Sequence, residues 1–429
     1  MITRKAYDVM VAGGGLSGLS AALFAARAGK RTLLVTRGSG VLAIGGGTID
    51  VLGYLPDGTP LSSPFEGFGA LSSRHPYSLV GTQTVQKALS AFLELCEEGG
   101  CPYLCNGERN TRVVTALGTT KPSYLVPHTM TMRGVSEASN VFIAGVEGLK
   151  DFSPALTARG LQGRKAYAGK NIVPVLLPSP FPLQRDLSTL DLARYLDTEE
   201  GVRWLGKAIN KHIVRGVPGV VFVPAILGTA ANGSVHTAIK DMTGHEVHEI
   251  SSLPPAVTGL RLHALLLRLL KKYGVDLIEH AAITGSVVEN GHCEALLTCN
   301  DGRERRYAAR SFIIATGGVL GEGFVTEPER AWEPIFNIDL PMNPSSSEWS
   351  QPEAYPAECR TPGTPRPSHG FALLGPNVDA SLRPLGGDGN PVADNVFFIG
   401  KTLGGYDHAA EKSGNGVALS TAYFAAMNA

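Results

Sequence analysis

No uninterrupted apolar run in this 429-residue chain reaches the ~18 residues that a membrane-spanning helix needs. The nearest approach, Ala264 to Leu270, is short and is broken by Arg268. Net charge is also lacking. The 38 Lys and Arg balance 38 Asp and Glu, which excludes a global basic field for nucleic acid or anionic lipid. Cysteine is sparse, and Cys96, Cys101 and Cys105, the one cluster, match neither iron–sulfur nor zinc spacing. Cys293, Cys299 and Cys359 stand apart, and all six read as free thiols of a reducing compartment. His245-Glu246-Val247-His248 is one residue too short for the H-E-x-x-H metal motif, so no metal is expected. The first strand begins almost at residue 1, which leaves no room for a signal peptide and predicts a cytoplasmic protein.

One absence is local and more telling. Tyr7 to Ala12 reads as a buried strand, Gly13-Gly14-Gly15-Leu16-Ser17-Gly18 as a glycine turn, and Leu19 to Ala28 as a helix. Strand, glycine turn and helix in that order bind a phosphate or pyrophosphate. Gly13 permits the tight turn, Gly15 lets the phosphate approach, and Gly18 lets the helix lie close to the sheet. The helix N-terminus offers unpaired N–H groups and partial positive charge. A second strand, Arg31 to Thr36, should end in an acid that accepts hydrogen bonds from a ribose. It ends in Thr36 and Arg37. The phosphate half of a dinucleotide site is therefore present without its usual adenosine half.

What the chain has in abundance is glycine, with 52 residues, and 28 prolines. These fit turns and glycine-lined loops rather than a helical bundle. A second cluster, Gly45-Gly46-Gly47-Thr48, follows the first βαβ unit. Far downstream, a buried strand from Arg310 runs into Ala315-Thr316-Gly317-Gly318. Asn395 to Ile399 is another such strand, ending at Gly400, and Gly414-Asn415-Gly416-Val417 opens a last helix over Ala418 to Met427. Ligands of open α/β sheets sit outside the carboxyl ends of the strands, so these blocks converge on one cofactor.

The predicted fold is α/β. An FAD/NAD(P)-binding Rossmann-like domain is built from both chain ends, residues 1–54 and 281–429. A substrate or cap domain, residues 55–280, is inserted in it. That middle shows helices over Gln83 to Glu98, Asp191 to Tyr195 and Leu260 to Tyr273, and a strand at Val220 to Val223. Pro174 to Pro182 reads as a surface connection, and Glu327 to Pro367 as an extended excursion.

Several blocks carry a resemblance to a known family. They are Val35-Thr36-Arg37-Gly38, Leu55-Pro56-Asp57-Gly58, His75-Pro76-Tyr77-Ser78-Leu79, Leu117-Gly118-Thr119 and Gly148-Leu149-Lys150-Asp151-Phe152. Arg194-Tyr195-Leu196-Asp197, Leu253-Pro254-Pro255, Gly259-Leu260-Arg261-Leu262, Leu382-Arg383-Pro384 and Leu403-Gly404-Gly405-Tyr406-Asp407 extend them. Together with the fingerprint they make nearly the whole chain resemble the anaerobic glycerol-3-phosphate dehydrogenase B-subunit family. The resemblance implies an oxidoreductase subunit with non-covalent FMN. It implies a catalytic FAD subunit and an iron–sulfur subunit as partners, at the inner face of the cell membrane. It further implies electrons passing from sn-glycerol 3-phosphate toward a quinone, with dihydroxyacetone phosphate as product. Membrane contact is expected only through a partner.

The missing acid agrees with FMN, which has no adenosine to anchor. Thr36 and Arg37 remain able to hold an adenosine by hydroxyl contact or stacking, so FAD is the alternative. Lys401-Thr402 after Gly400, and Asn415 within the last glycine run, depart from the family pattern. The N-terminus of the last helix, around Gly416, Val417 and Ala418, is the expected source of positive potential for the flavin. A phosphorylated substrate calls for arginine and proton removal calls for a histidine, which makes Arg261, His369 and Arg383 the catalytic candidates. His75 and His408 read as solvated loop histidines. Two other readings stay open: a free-standing flavin dehydrogenase of fumarate-reductase type acting on a small anion, and a non-catalytic flavin-domain scaffold.

Overall fold

The computed structural model describes residues 7–182, 186–213, 218–230, 232–300, 302–327, 330–341 and 370–429. They fall into two compact units. The described residues of Met1–Val41, Asp50–Leu95 and Leu266–Ala429 form the first, and Leu42–Ile49 with Cys96–Leu265 the second. Residues 55–95 and 266–280 thus fall in the unit that carries the fingerprint, and 42–49 in the other. A reason for the first displacement lies in Tyr77 and His75. Tyr77 donates its hydroxyl proton to the Val51 carbonyl at 2.7 Å, and the His75 ring lies 3.2 Å from the Glu411 carboxylate near the C-terminus.

In the first unit, β1 (Tyr7–Ala12) is followed by α1 (Leu16–Arg27) and β2 (Thr32–Val35). Five more strands come late in the chain: β3 (Asp276–Ile278), β4 (Ala282–Glu289), β5 (His292–Asn300), β6 (Arg303–Ile314) and β7 (Val396–Phe398). β3, β2, β1, β6 and β7 lie side by side in that order, all parallel. The apolar sequences of β1, β2 and β7 are buried, as a sheet covered on both faces requires. Long β6 serves two partnerships. Its first half pairs antiparallel with β5, and its second half lies between β1 and β7. The last helix, α2 (Gly414–Asn428), packs along α1, and both are rich in buried Ala and Leu.

The second unit is built on its own parallel sheet, in the order Glu246–Ile250, Gly219–Pro224, Asn140–Val146, Asn171–Leu177. Helices Pro154–Gln162, Thr189–Leu196, Glu199–His212 and Ser234–Thr243 accompany it. Its core gathers Val141, Ile143, Leu192, Leu205, Phe222 and Val247. Pro174 lies in a strand rather than a surface connection. Proline has no N–H to give a ladder, and Asn171–Leu177 is the edge strand, where that lack is tolerated. The predicted excursion from Glu327 holds strands Ala331–Glu333 and Ile338–Asp339, and its span over 342–367 lies outside the described residues.

Candidate functional site

A cleft of about 650 Å³ follows the carboxyl edge of the first unit's parallel sheet. Its lining takes residues from beyond each strand in turn: Ala281 after β3, Arg37 and Gly38 after β2, Gly13 to Ser17 after β1, Ala315 to Glu322 after β6, and Lys401 after β7. Neighbouring strands lie about 4.8 Å apart, so the ends of β2, β1, β6 and β7 alone span about 15 Å.

The glycine turn sits at the middle of this row. Gly13 has φ +125°, a backbone that L side chains rarely adopt, and a Cβ there would overlap the Ala315 carbonyl. Gly15 is the opposite case, for a Cβ on it would meet nothing within 4 Å. Gly15 is also the N-cap of α1, whose first turn contains no acid. Open space before a helix N-terminus free of carboxylates is a place for an anionic phosphate. Thr316 Oγ1 and His408 Nδ1, from residues that line the cleft, are buried without hydrogen-bond partners. A cradle open at its glycine turn and buried polar atoms without partners fit a bound flavin nucleotide.

Among the residues expected to bind cofactor, Gly13, Gly14, Gly15, Arg37, Ala315, Thr316, Gly317, Gly318 and Gly414 line the cleft. Thr36 does not. Its hydroxyl donates to the Gly38 carbonyl and accepts the Gly38 N–H at 3.1 Å, which closes a local turn. Gly18 and Gly400 allow close packing instead, against the Gly13 carbonyl and the Ser17 side chain respectively. The expectation that Gly416 and Val417 offer their amides to the ring is corrected. The Gly416 N–H donates to the Asp50 carbonyl at 2.9 Å and the Val417 N–H to the Ser413 carbonyl at 2.9 Å. Gly45, Gly46, Gly47 and Thr48 belong to the second unit and do not line the cleft. There Thr258 donates to the Gly46 carbonyl at 2.8 Å, Tyr103 to the Gly47 carbonyl at 2.5 Å, and Lys121 to Thr48 Oγ1 at 2.7 Å.

The catalytic candidates fare differently. Arg261 is buried in the second unit, with Nε on the Gly228 carbonyl at 2.8 Å and its two terminal nitrogens on Glu249 at 2.6 and 2.9 Å. Burial pushes the Glu249 carboxyl up. The Arg261 guanidinium, with Thr129 Oγ1 and the Leu227 N–H, outweighs burial and holds it below its ordinary value. Arg383 is fastened to Asp379 at 2.7 Å, outside the cleft lining. Both arginines serve carboxylates of their own unit. His369 lies outside the described residues.

Beyond β7 the cleft holds groups that sequence reasoning passed over. Lys401 lines it, with Nζ 4.8 Å from the Tyr406 ring centroid. Burial pushes its ammonium down to about 8, against the opposing pull of Asp407 and Glu411. Tyr406 and His408 line the cleft too. Burial and then the Lys401 charge hold the His408 ring below the usual imidazole range, which keeps it neutral at pH 7. The signal available in the sequence was the Gly400-to-Asp407 block itself, whose lysine reads only as a departure from pattern. At the opposite end, Arg37 forms an exposed ion pair with Glu322. Among the described residues, no group of three or more His, Cys, Asp or Glu could hold a metal ion, and no helix is long and apolar enough to cross a membrane.

The FAD binding domain family matches residues 8–417. The chain is 31% identical to the anaerobic glycerol-3-phosphate dehydrogenase B-subunit of Vibrio cholerae serotype O1, over 98% of this chain and 95% of that protein. It is 31% identical to the protein of the same name from Vibrio vulnificus, over 99% of this chain and 96% of that one. Among solved structures, 3-ketosteroid Δ1-dehydrogenase from Sterolibacterium denitrificans aligns over 99% of both chains, with 10% identity and a TM-score of 0.43.

Proposed function

The chain belongs to the anaerobic glycerol-3-phosphate dehydrogenase B-subunit family, a family of flavoprotein oxidoreductases, and from that premise we propose that it binds FAD along its cleft and serves the oxidation of sn-glycerol 3-phosphate to dihydroxyacetone phosphate. The observation that carries the cofactor reading is the row of strand ends, with the phosphate turn at its middle. A dinucleotide has two nucleotide halves around a central pyrophosphate, and the cleft has lining on both sides of Gly15. FMN, implied by the resemblance, would leave the side beyond β2 unused.

Gly13 to Ser17 and the N-terminus of α1 would hold the pyrophosphate, and Ala315 to Gly318, Lys401 and Tyr406 the flavin half. A bound flavin supplies a hydride acceptor. Oxidation of the substrate's secondary alcohol releases one hydride from carbon and one proton from oxygen. His408, neutral and with Nδ1 unpartnered, is the group placed to accept that proton. Lys401 supplies positive charge for the phosphate group.

A second reading, electron relay without substrate, is favoured by one observation. Arg261 and Arg383, the arginines expected at the phosphate, are each committed to a carboxylate. In either reading the chain works beside a catalytic FAD subunit and an iron–sulfur subunit. The partners bring it to the inner face of the membrane, and electrons leave toward a quinone.

Release of the cofactor by heat and its identification by chromatography, followed by assay of the lone chain with sn-glycerol 3-phosphate and a dye acceptor, tests the proposal. FAD with turnover supports substrate oxidation here, and FAD without turnover supports the relay. FMN as the sole cofactor overturns the dinucleotide reading.

A further inference from the structure

The acid missing from the end of β2 leaves the ribose of an adenosine without its usual partner. Thr36 does not line the cleft, and its hydroxyl is turned to the backbone of Gly38. The structure brings a different carboxylate to the same end of the cleft. Glu322 follows β6 on a turn, with φ +57°, and lines the cleft together with Arg37 and Gly38. It forms an ion pair with Arg37, the residue directly after the missing acid. The two side chains are 71% and 70% exposed. A pair so exposed contributes about 0–1 kcal/mol, so a ligand able to hydrogen-bond the carboxylate rearranges it at little cost.

We infer that Glu322 is the ribose-binding acid of this cleft, supplied from the loop after β6 in place of the residue absent from β2, with Arg37 beside it. A carboxylate accepts hydrogen bonds from vicinal hydroxyls, and the ribose of an adenosine presents two. The left-handed backbone at Glu322 is rare for a residue other than glycine, and such outliers cluster at ligand clamps. Gly323 beside it packs its Cα against the Gly317 carbonyl, which holds the turn against the loop after β6. The inference rests on the FAD reading.

The test uses the full chain stripped of flavin, titrated by calorimetry with FAD, FMN, ADP, 2′-deoxy-ADP and 3′-deoxy-ADP, for wild type and Glu322→Gln. The variant should bind FAD and ADP about tenfold more weakly or worse, with FMN affinity unchanged, as loss of a charge-assisted hydrogen bond predicts. Removal of a ribose hydroxyl should weaken ADP binding to wild type more than to the variant, which isolates that contact. A variant that binds FAD as well as wild type, or better, overturns the assignment of Glu322 and leaves the FAD reading standing. A wild-type chain that prefers FMN and ignores ADP overturns the FAD reading, and this inference with it.

Discussion

The two units both rest on parallel sheets and put opposite things among their strands and loops. In the first, strand ends run into glycine and leave a cleft of about 650 Å³ lined by an ammonium, an imidazole with Nδ1 unpartnered and a glycine turn. In the second, a fully buried carboxylate is paired on every side. Glu249 receives Arg261, Thr129 and the Leu227 N–H, and the adjoining cavity is about 10 Å³. The Glu249–Arg261 pair is spent within its own unit, whereas Thr316 Oγ1 and His408 Nδ1 belong to residues that line the cleft. The same contrast explains why arginine, the residue type best suited to phosphate, is no guide to the site by its presence alone.

The contrast breaks hardest at Glu249. Glu249→Ala leaves a buried guanidinium without its carboxylate and should cost about 3–5 kcal/mol, read from the urea midpoint. A loss under about 1 kcal/mol would mean that the pair is not structural. Glu333, in the first unit, is a buried carboxylate whose partners are amides rather than a cation. Burial pushes it up to about 7, while the N–H groups of Phe336 and Ile335 pull the other way. Its protonated form is favoured by the fold. The stability it contributes is fully present below about pH 4.5 and is lost as pH rises through about 7. Glu333→Gln should therefore gain up to about 3 kcal/mol at pH 8 and little at pH 4, and a flat difference across that range would contradict the burial argument.

The glycine turn sharpens the contrast at one side chain's resolution. Gly13→Ala should lower stability by about 1–3 kcal/mol and abolish flavin binding, since overlap with the Ala315 carbonyl is added to an unfavourable φ. Gly15→Val should cost under about 1 kcal/mol yet still abolish flavin binding, because its side chain fills only open space. Retained flavin in Gly15→Val would remove the phosphate from this turn. The smallest effect expected is at Lys401. Burial pushes its ammonium down to about 8, so affinity for anionic ligands should fall between pH 7 and 9. Lys401→Arg should flatten that slope.

Legibility in the sequence follows distance along the chain. The βαβ unit reads cleanly because its strand, turn and helix occupy residues 7 to 35 without interruption. The downstream strand ends read nearly as well, because each is an apolar run closed by small residues. Glycine itself is ambiguous. The 45–47 cluster reads as a cofactor loop, and a Cβ on Gly47 would lie 2.7 Å from the Thr258 backbone, so packing alone is enough to require glycine at that position. The amides of Gly416 and Val417 look available until the Asp50 carbonyl, more than 360 residues earlier in the chain, takes one of them. Arg383 was open to a better reading, since Asp379 stands four residues before it. Glu322 has no local pattern, for it matters only beside Arg37.

The double partnership of β6 orders events in time. Its antiparallel half needs only β4 and β5, its immediate predecessors, whereas its other half waits for β1 and β7 from opposite ends of the chain. Contacts that close short loops form before those that close long ones. Pulse-labelled hydrogen exchange should find amides of 292–308 protected before those of 309–314. A newly made chain then reaches cofactor competence last, once residues 396–398 have docked, and the flavin meets a polypeptide whose remaining architecture is already in place.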